Sequence, residues 1–276
     1  MLSKNLISIC FMVICMVLLA CKEETAMVQN LILLKNIPQE TWQTLAGKKI
    51  YFGHQSVGYN IIDGVKAIMR EDPDIKLNIV KTSDPSVITH GAFVHSEIGN
   101  NTDPQSKIES FEQVMGSGMG EKVDIAFFKF CYVDIDPQMD IQTIFSRYKD
   151  SITQLREKYP HVKFIHITVP LEGEIVTWKV RINRLLGRVQ LWDHTKNIKR
   201  NEYNDLLRKE YAGKEPIYDL AELESTYPDG KRCAFMNSGR QYYSLVAKYT
   251  FDGGHLNELG KKRAAENLLL TLISTM

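Results

Sequence analysis

Lys49-Ile50-Tyr51-Phe52-Gly53-His54-Gln55-Ser56-Val57-Gly58 is the stretch on which the reading of this chain turns. A short apolar run stops at a glycine and delivers a serine into a turn. Apolar residues at helical spacing follow: Ile61, Ile62, Val65, Ile68 and Met69. Strand, glycine turn and helix in that order expose a residue at the carboxyl end of a parallel sheet, where α/β folds place their ligands. Near the other end of the chain stands Phe251-Asp252-Gly253-Gly254-His255-Leu256-Asn257, just ahead of the last helical pattern. A serine at one end and an Asp-x-x-His at the other provide a nucleophile, a base and a carboxylate to orient it.

Between these ends, strand-like and helix-like patterns alternate. Ile75, Leu77 and Ile79 alternate as a strand, and Val123 to Phe130 is a nearly continuous apolar run that predicts a strand buried on both faces. Val162 to Val169 and Pro216 to Leu220 predict two more strands. Helical spacing appears in the segment from Leu31 to Leu45, at Ile108, Phe111, Val114 and Met115, from Ile141 to Leu155, from Ile198 to Tyr211, and from Leu256 to Leu272, the last with Lys261, Lys262 and Arg263 on its solvent side. The alternation predicts an α/β fold with a parallel sheet covered on both faces. Two stretches interrupt it. Leu171 to Thr195 carries Trp178, Arg181, Arg184, Arg188, Trp192 and His194, and Ala221 to Thr250 carries Tyr227, Tyr242, Tyr243 and Tyr249. Either they line a substrate site with stacking and hydrogen-bonding groups, or they form a helical hairpin over the sheet edge.

Ser56, Asp252 and His255 match in type, order and spacing the site of the SGNH (GDSL-like) hydrolases, a family this sequence resembles from about residue 48 to 275. The resemblance implies a three-layer α/β/α sandwich with a five-stranded, mostly parallel, flavodoxin-like sheet. It also implies a serine esterase in which Asp252 orients His255 and His255 takes the Ser56 proton. The N–H of Ser56 would be one oxyanion donor, and Gly99 corresponds to the family's glycine. The family's asparagine is missing: its Gly-x-Asn-Asp pattern falls on Cys131-Tyr132-Val133-Asp134, where the last residue alone agrees. Asn101, with Asn100 second, is the candidate replacement, against a plain Asn-Asn turn. His54 replaces the aspartate of the usual Gly-Asp-Ser signature and either lines the pocket or satisfies a backbone group. Lys129 either points into the site or snorkels outward. His90 and His95 flank Gly91-Ala92-Phe93 without any metal-binding spacing, so neither metal nor cofactor is expected. A lipase-type α/β-hydrolase is excluded, because its Gly-x-Ser-x-Gly lies in mid-chain and its acid stands well apart from its histidine.

The 276 residues, 44% of them hydrophobic, suffice for one large core, and the net charge of +1 gives no reason to expect nucleic acid or an anionic membrane as partner. Lys4 and the apolar run Leu6 to Ala20 read as a signal peptide, too short and wrongly flanked to favour a spanning helix, with an uncleaved N-terminal anchor helix as the alternative. Leu18-Leu19-Ala20-Cys21 resembles a bacterial lipobox, which implies cleavage before Cys21 and acylation of its sulfur, each buried methylene contributing roughly 0.8 kcal/mol to membrane attachment. Lys22-Glu23-Glu24 resembles the acidic signal that sends such lipoproteins to the cell surface. The expected organisation is a signal peptide over 1–20, a lipidated cysteine and linker over 21–35, and a hydrolase domain over 36–276. Cys10 and Cys15 leave with the signal, and Cys131 and Cys233 remain, free to pair in an oxidising compartment but not required to.

The expected function is hydrolysis of an O-acyl ester, acetyl being the simplest and a carbohydrate the candidate carrier, met outside the cytoplasm at the outer membrane or cell surface. A binding lipoprotein that has lost the activity and an O-acyltransferase with the same three residues are the alternatives. Mass spectrometry of the membrane-extracted protein should find a chain that begins at an acylated Cys21; a chain that retains Met1 would rule the lipoprotein reading out.

Overall fold

A computed structural model describes residues 34–174, Ile182, Leu186 and 194–276. The signal peptide and Cys21 lie outside the described residues, as do Trp178, Arg181, Arg184, Arg188 and Trp192. After helix α1 (Gln39–Ala46), strand β1 (Lys49–His54) runs into α2 (Val57–Glu71). Then come β2 (Ile79–Lys81), β3 (Ala92–Glu97), α3 (Pro104–Val114), β4 (Ile125–Phe128), α4 (Ile141–Lys158) and β5 (Lys163–Phe164). These five strands form one sheet in the order β2-β3-β1-β4-β5, and every pair is parallel.

Alternate residues of each inner strand feed two separate cores, as the two-residue period of a pleated strand requires. Ile50, Phe52, Phe93, Ile125 and Phe127 pack on one face against α2 and the last helix, α7 (Glu258–Thr275). Tyr51, Val94, Ala126 and Phe128 pack on the other against α3, α4 and α5 (Thr195–Tyr211). The result is the parallel sheet covered on both faces that the alternation predicts, in the three-layer form that the family resemblance implies.

Several expectations need correction in detail. The strand expected at Ile75, Leu77 and Ile79 starts only at Ile79; Ile75 and Leu77 are buried on the way in. Strand β3 was not anticipated, because His95 and Ser96 break its apolar pattern. Both are nonetheless buried, and Ser96 Oγ shares a 2.8 Å hydrogen bond with the Tyr51 hydroxyl. The strand expected from Val162 to Val169 divides after β5: Ile165 still donates to Ala126, and β6 (His166–Ile167) then turns to pair with β7 (Ile217–Tyr218). Between residues 221 and 250 the structure has no helical hairpin; after a short helix, α6 (Leu220–Glu224), the chain makes an antiparallel β-hairpin of β8 (Ala234–Asn237) and β9 (Arg240–Tyr243). Arg263 is buried, with its guanidinium 5.0 Å from the centre of the Tyr249 ring, and does not face solvent. Cys131 and Cys233 are free thiols. Among the described residues no helix is long and apolar enough to cross a membrane.

Helices α2 and α7 touch at Gly64, where a Cβ would lie 2.2 Å from the Lys261 carbonyl oxygen and 2.8 Å from the Ala265 Cβ. Backbone cannot yield as a flexible side chain does, so Gly64→Ala must force the helices apart. Overpacking of this kind costs about 1–3 kcal/mol, and a lower urea midpoint for the variant is expected; an unchanged midpoint would show that the interface yields freely.

His54 ends β1 fully buried, and its Nε2 lies 2.9 Å from Nδ1 of His95 in β3. Burial first, then the positive charge of Lys129, pushes His54 down to about 2; burial first, then the charges of Lys66 and Lys81, take His95 down to about 4. Both folded values lie below the unfolded value near 6.5, so the unfolded chain takes up protons that the folded one refuses. Stability from this pair is complete above pH 6.5 and is lost as pH falls towards 4 and then 2. Replacing His54 with Phe should flatten the fall in unfolding free energy between pH 7 and pH 5 by about 2 kcal/mol, one proton's share over that interval. Parallel curves for the two proteins would contradict a neutral buried pair.

Candidate active site

The carboxyl end of β1 places Ser56. Gln55 leaves the strand and its side-chain amide donates to the carbonyls of Ile98 (2.9 Å) and Gly99, which ties the turn to the loop after β3. Ser56 then takes φ 51°, a left-handed conformation that a non-glycine residue adopts only under strain. The first turn of α2 closes behind it, with Gly58 donating to the Gln55 carbonyl and Tyr59 to that of Ser56. A Cβ on Gly58 would fall 2.3 Å from the His54 ring, so only glycine lets α2 start this close to β1.

The second half of the site is a loop held from several sides. Thr250 Oγ1 donates to the His255 carbonyl (2.7 Å) and accepts from the Gly253 N–H (2.9 Å). Leu256 donates to the Asn60 side chain on α2 (3.0 Å), and Gly173 donates to the Gly253 carbonyl (2.7 Å). Asp252 Oδ1 accepts the N–H groups of Gly254 (2.9 Å) and His255 (2.7 Å), while Oδ2 stands 2.6 Å from His255 Nδ1. Burial works to raise the Asp252 pKa, but the two N–H groups and the imidazole hold its carboxyl below the ordinary range. An ionised Asp252 can only accept, so Nδ1 of His255 carries the proton and Nε2 is left as an acceptor. Ser56 Oγ lies 2.7 Å from that Nε2. The structure therefore brings Ser56, His255 and Asp252 into one hydrogen-bonded chain, open to solvent at the Asp252 (40% exposed) and His255 (34% exposed) side chains.

Gly99 and Asn101 lie in the loop that Gln55 holds. Gly99 has φ 53°, and a Cβ there would lie 2.6 Å from the Lys107 nitrogen, so the loop packs onto α3 only as glycine. Asn101 is exposed, and its Oδ1 accepts from Lys107 Nζ at 2.9 Å; its amide nitrogen is the group it can offer a ligand. His54 and Lys129 do not serve as expected. His54 is sealed under the turn against His95, and its partner is a side chain rather than a backbone group. Lys129 is also buried, neither snorkelling nor open to a ligand: its Nζ reaches the Phe130 carbonyl (3.2 Å) and Cys131 Sγ (3.4 Å), and burial lowers its pKa. His90 sits on the surface against Thr89.

The block in which the family's asparagine is missing has its own organisation. Asp134, fully buried, pairs with Lys107 at 2.6 Å and accepts the N–H groups of Cys131 (2.6 Å) and Thr102 (2.9 Å), joining the loops after β3 and β4. Tyr132 turns towards the histidine: its ring meets the His255 ring edge-on, with centroids 5.9 Å apart. A Cβ on Gly254 would lie 2.4 Å from that tyrosine ring. Burial, then the nearby Asp252, pushes the Tyr132 hydroxyl up to about 12. On the other side Phe251, 66% exposed, lies nearly parallel to the His255 ring. Neither aromatic was read from the sequence as a site residue; the one available signal was their adjacency to the departing block and to Asp252.

No family model matches the chain, and no curated protein matches it. Solved structures do resemble it. A protein from Parabacteroides merdae described as a GDSL-like lipase superposes with TM-score 0.51 at 9% identity, over 82% of this chain and 95% of that one. The periplasmic domain of a lipopolysaccharide acetyltransferase from Salmonella ser. Paratyphi A gives TM-score 0.48 at 13% identity, over 83% of this chain and 85% of that one. A GDSL-family lipolytic protein from Desulfitobacterium hafniense gives 0.43 at 11% identity, over 81% and 99%. The first of these, with the strand order and the layers described above, identifies the architecture: this chain has the fold of the GDSL-like (SGNH) hydrolases.

Proposed function

We propose that the protein is a serine esterase of SGNH type that removes an O-acyl group, in the simplest case acetyl, from a carbohydrate outside the cytoplasm, and that it is anchored there by lipid on Cys21. The observation that carries the reading is the chain of hydrogen bonds from Ser56 Oγ through His255 to Asp252. A serine hydroxyl at its free pKa is a poor nucleophile. With Nδ1–H donated to Asp252, the His255 Nε2 takes the hydroxyl proton as Oγ attacks the ester carbonyl, and returns it to the departing alkoxide. Water then follows the same route, giving up its proton to Nε2 as it attacks the acyl-serine; Nε2 passes that proton to Ser56 Oγ as the acyl–Oγ bond breaks, and the acid leaves.

The developing oxyanion would be met by the N–H of Ser56 at the start of α2, whose helix end favours negative charge, and by Gly99 and Asn101. The engagement of Asn101 Oδ1 by Lys107 supports the last assignment, since it turns the amide nitrogen to the free side. The exposure of Asp252 and His255 supports an ester carried on a large molecule that docks at an open mouth.

Fluorophosphonate should label the purified wild-type protein and leave Ser56→Ala unlabelled, with ester turnover at least about 10⁴-fold lower in the variant and the same melting curve. Label on both proteins, or none on folded wild type, would overturn the assignment; glycan binding without turnover would favour a binding protein, and turnover only with an added acceptor an acyltransferase.

A further inference from the structure

His255 is fixed at two points, by Asp252 at one ring nitrogen and by Ser56 at the other, yet it stands on a loop outside the main sheet and is a third exposed. Something must set the plane and lateral position of the ring. Phe251 flanks one side of the ring but is itself exposed; the wall on the protein's side is Tyr132, whose ring edges the imidazole and fills the space over Gly254. Tyr132 belongs to a short 3₁₀ turn, Tyr132–Asp134, and needs support of its own.

That support comes from α5. Arg200 is 1% exposed, and its Nε donates to the Tyr132 carbonyl at 2.7 Å. Its guanidinium carbon lies 5.7 Å from the centre of the Tyr132 ring. One terminal nitrogen of the same group donates to Glu172 Oε2 (2.7 Å) and to Asn197 Oδ1 (2.8 Å). Asn197 in turn grips the Glu172 backbone at both its N–H and its carbonyl, and the next residue, Gly173, donates to the Gly253 carbonyl between Asp252 and His255. One buried cation thus reaches the histidine loop by two routes, through the Tyr132 ring and through Gly173.

Burying a guanidinium is expensive, and an apolar side chain of similar size would stabilise a core as well or better. What the guanidinium supplies instead is a rigid plane of donors aimed in different directions. We propose that Arg200 is a positioning residue for the esterase site, holding Tyr132 and the Glu172–Gly173 segment so that His255 stays aligned with Ser56. The inference rests on the hydrolase reading above.

The test is steady-state hydrolysis of p-nitrophenyl acetate, with fluorophosphonate inactivation rates, for wild type, Arg200→Lys, Tyr132→Leu and the double variant, each corrected for folded fraction. Misplacement of a reacting group by about 1 Å costs on the order of 10²-fold. Each single variant should therefore lose about 10- to 100-fold in kcat and in inactivation rate, with KM within about twofold. The double variant should be no worse than the weaker single one, because both act through one link. A residue that only stabilised the fold would leave kcat per folded molecule unchanged. Wild-type kcat in folded Arg200→Lys, or losses that multiply in the double variant, would overturn the strut while the hydrolase reading stands. Wild type inert to both reagents would overturn both. If Arg200→Lys does not fold, Glu172→Gln, which alters a half-buried partner of the same guanidinium, should still lower kcat several-fold at constant KM, and no change there would equally refute the proposal.

Discussion

The close approach of α2 to α7 is the contact on which the site depends. Ser56 opens the first of these helices and the Asp252–His255 loop opens onto the second, so the distance between the helix axes sets the distance between the Ser56 hydroxyl and the His255 ring. Gly64 permits an approach that any Cβ would block against the Lys261 carbonyl, and Asn60, one turn earlier on α2, binds the Leu256 N–H directly. With the helices a methyl group further apart, a 2.7 Å hydrogen bond between Ser56 and His255 could not persist without rebuilding one of the two loops. The apolar face shared by α2, α7 and β1 therefore works as the frame of a polar site at its rim.

The two ends of the site were legible because each had a local grammar. An apolar strand stopping at Gly53 and an Asp-x-x-His ahead of a helix are readable without tertiary information, and they meet in space as the parallel-sheet reading requires. The alternation of elements was legible for the same reason. Strand β3 was not, since its burial depends on His95 and Ser96 finding His54 and Tyr51 across the neighbouring strand, and a one-dimensional pattern registers polar residues as exposed. Lys129 and Arg263 misled in the related sense: a cation was taken to seek water or substrate, whereas each is enclosed by carbonyl, thiol or aromatic partners. Arg200 lies in a helix rich in polar residues, where nothing in the sequence separates a buried guanidinium from a solvated one.

Buried ionisable groups are concentrated under the carboxyl end of β4. Lys107 and Asp134 form a complete pair with further N–H groups on the carboxylate, as burial demands. Glu224 has no such compensation: one oxygen takes the Leu171 N–H, the other has no partner, and burial pushes its pKa up to about 8, against the pull of that N–H and of Lys129 and Arg200. Burial thus favours the acid form of Glu224, which spares the cluster an unpaired charge. The altered block after β4 is thus a substitute architecture. Its residues join neighbouring loops through Asp134 and back the histidine through Tyr132, rather than presenting an asparagine.

The hydrogen bond between Ser56 and His255 spans 199 positions of sequence. Ser56 leaves the ribosome long before His255 exists as polypeptide, and a contact of such separation carries a large loop-closure cost. Until α7 docks, Ser56 is an ordinary alcohol with no proton acceptor beside it. An unfinished or unfolded chain therefore holds Ser56 without its hydrogen bond to His255, which exists only once the Asp252–His255 loop and α7 are in place.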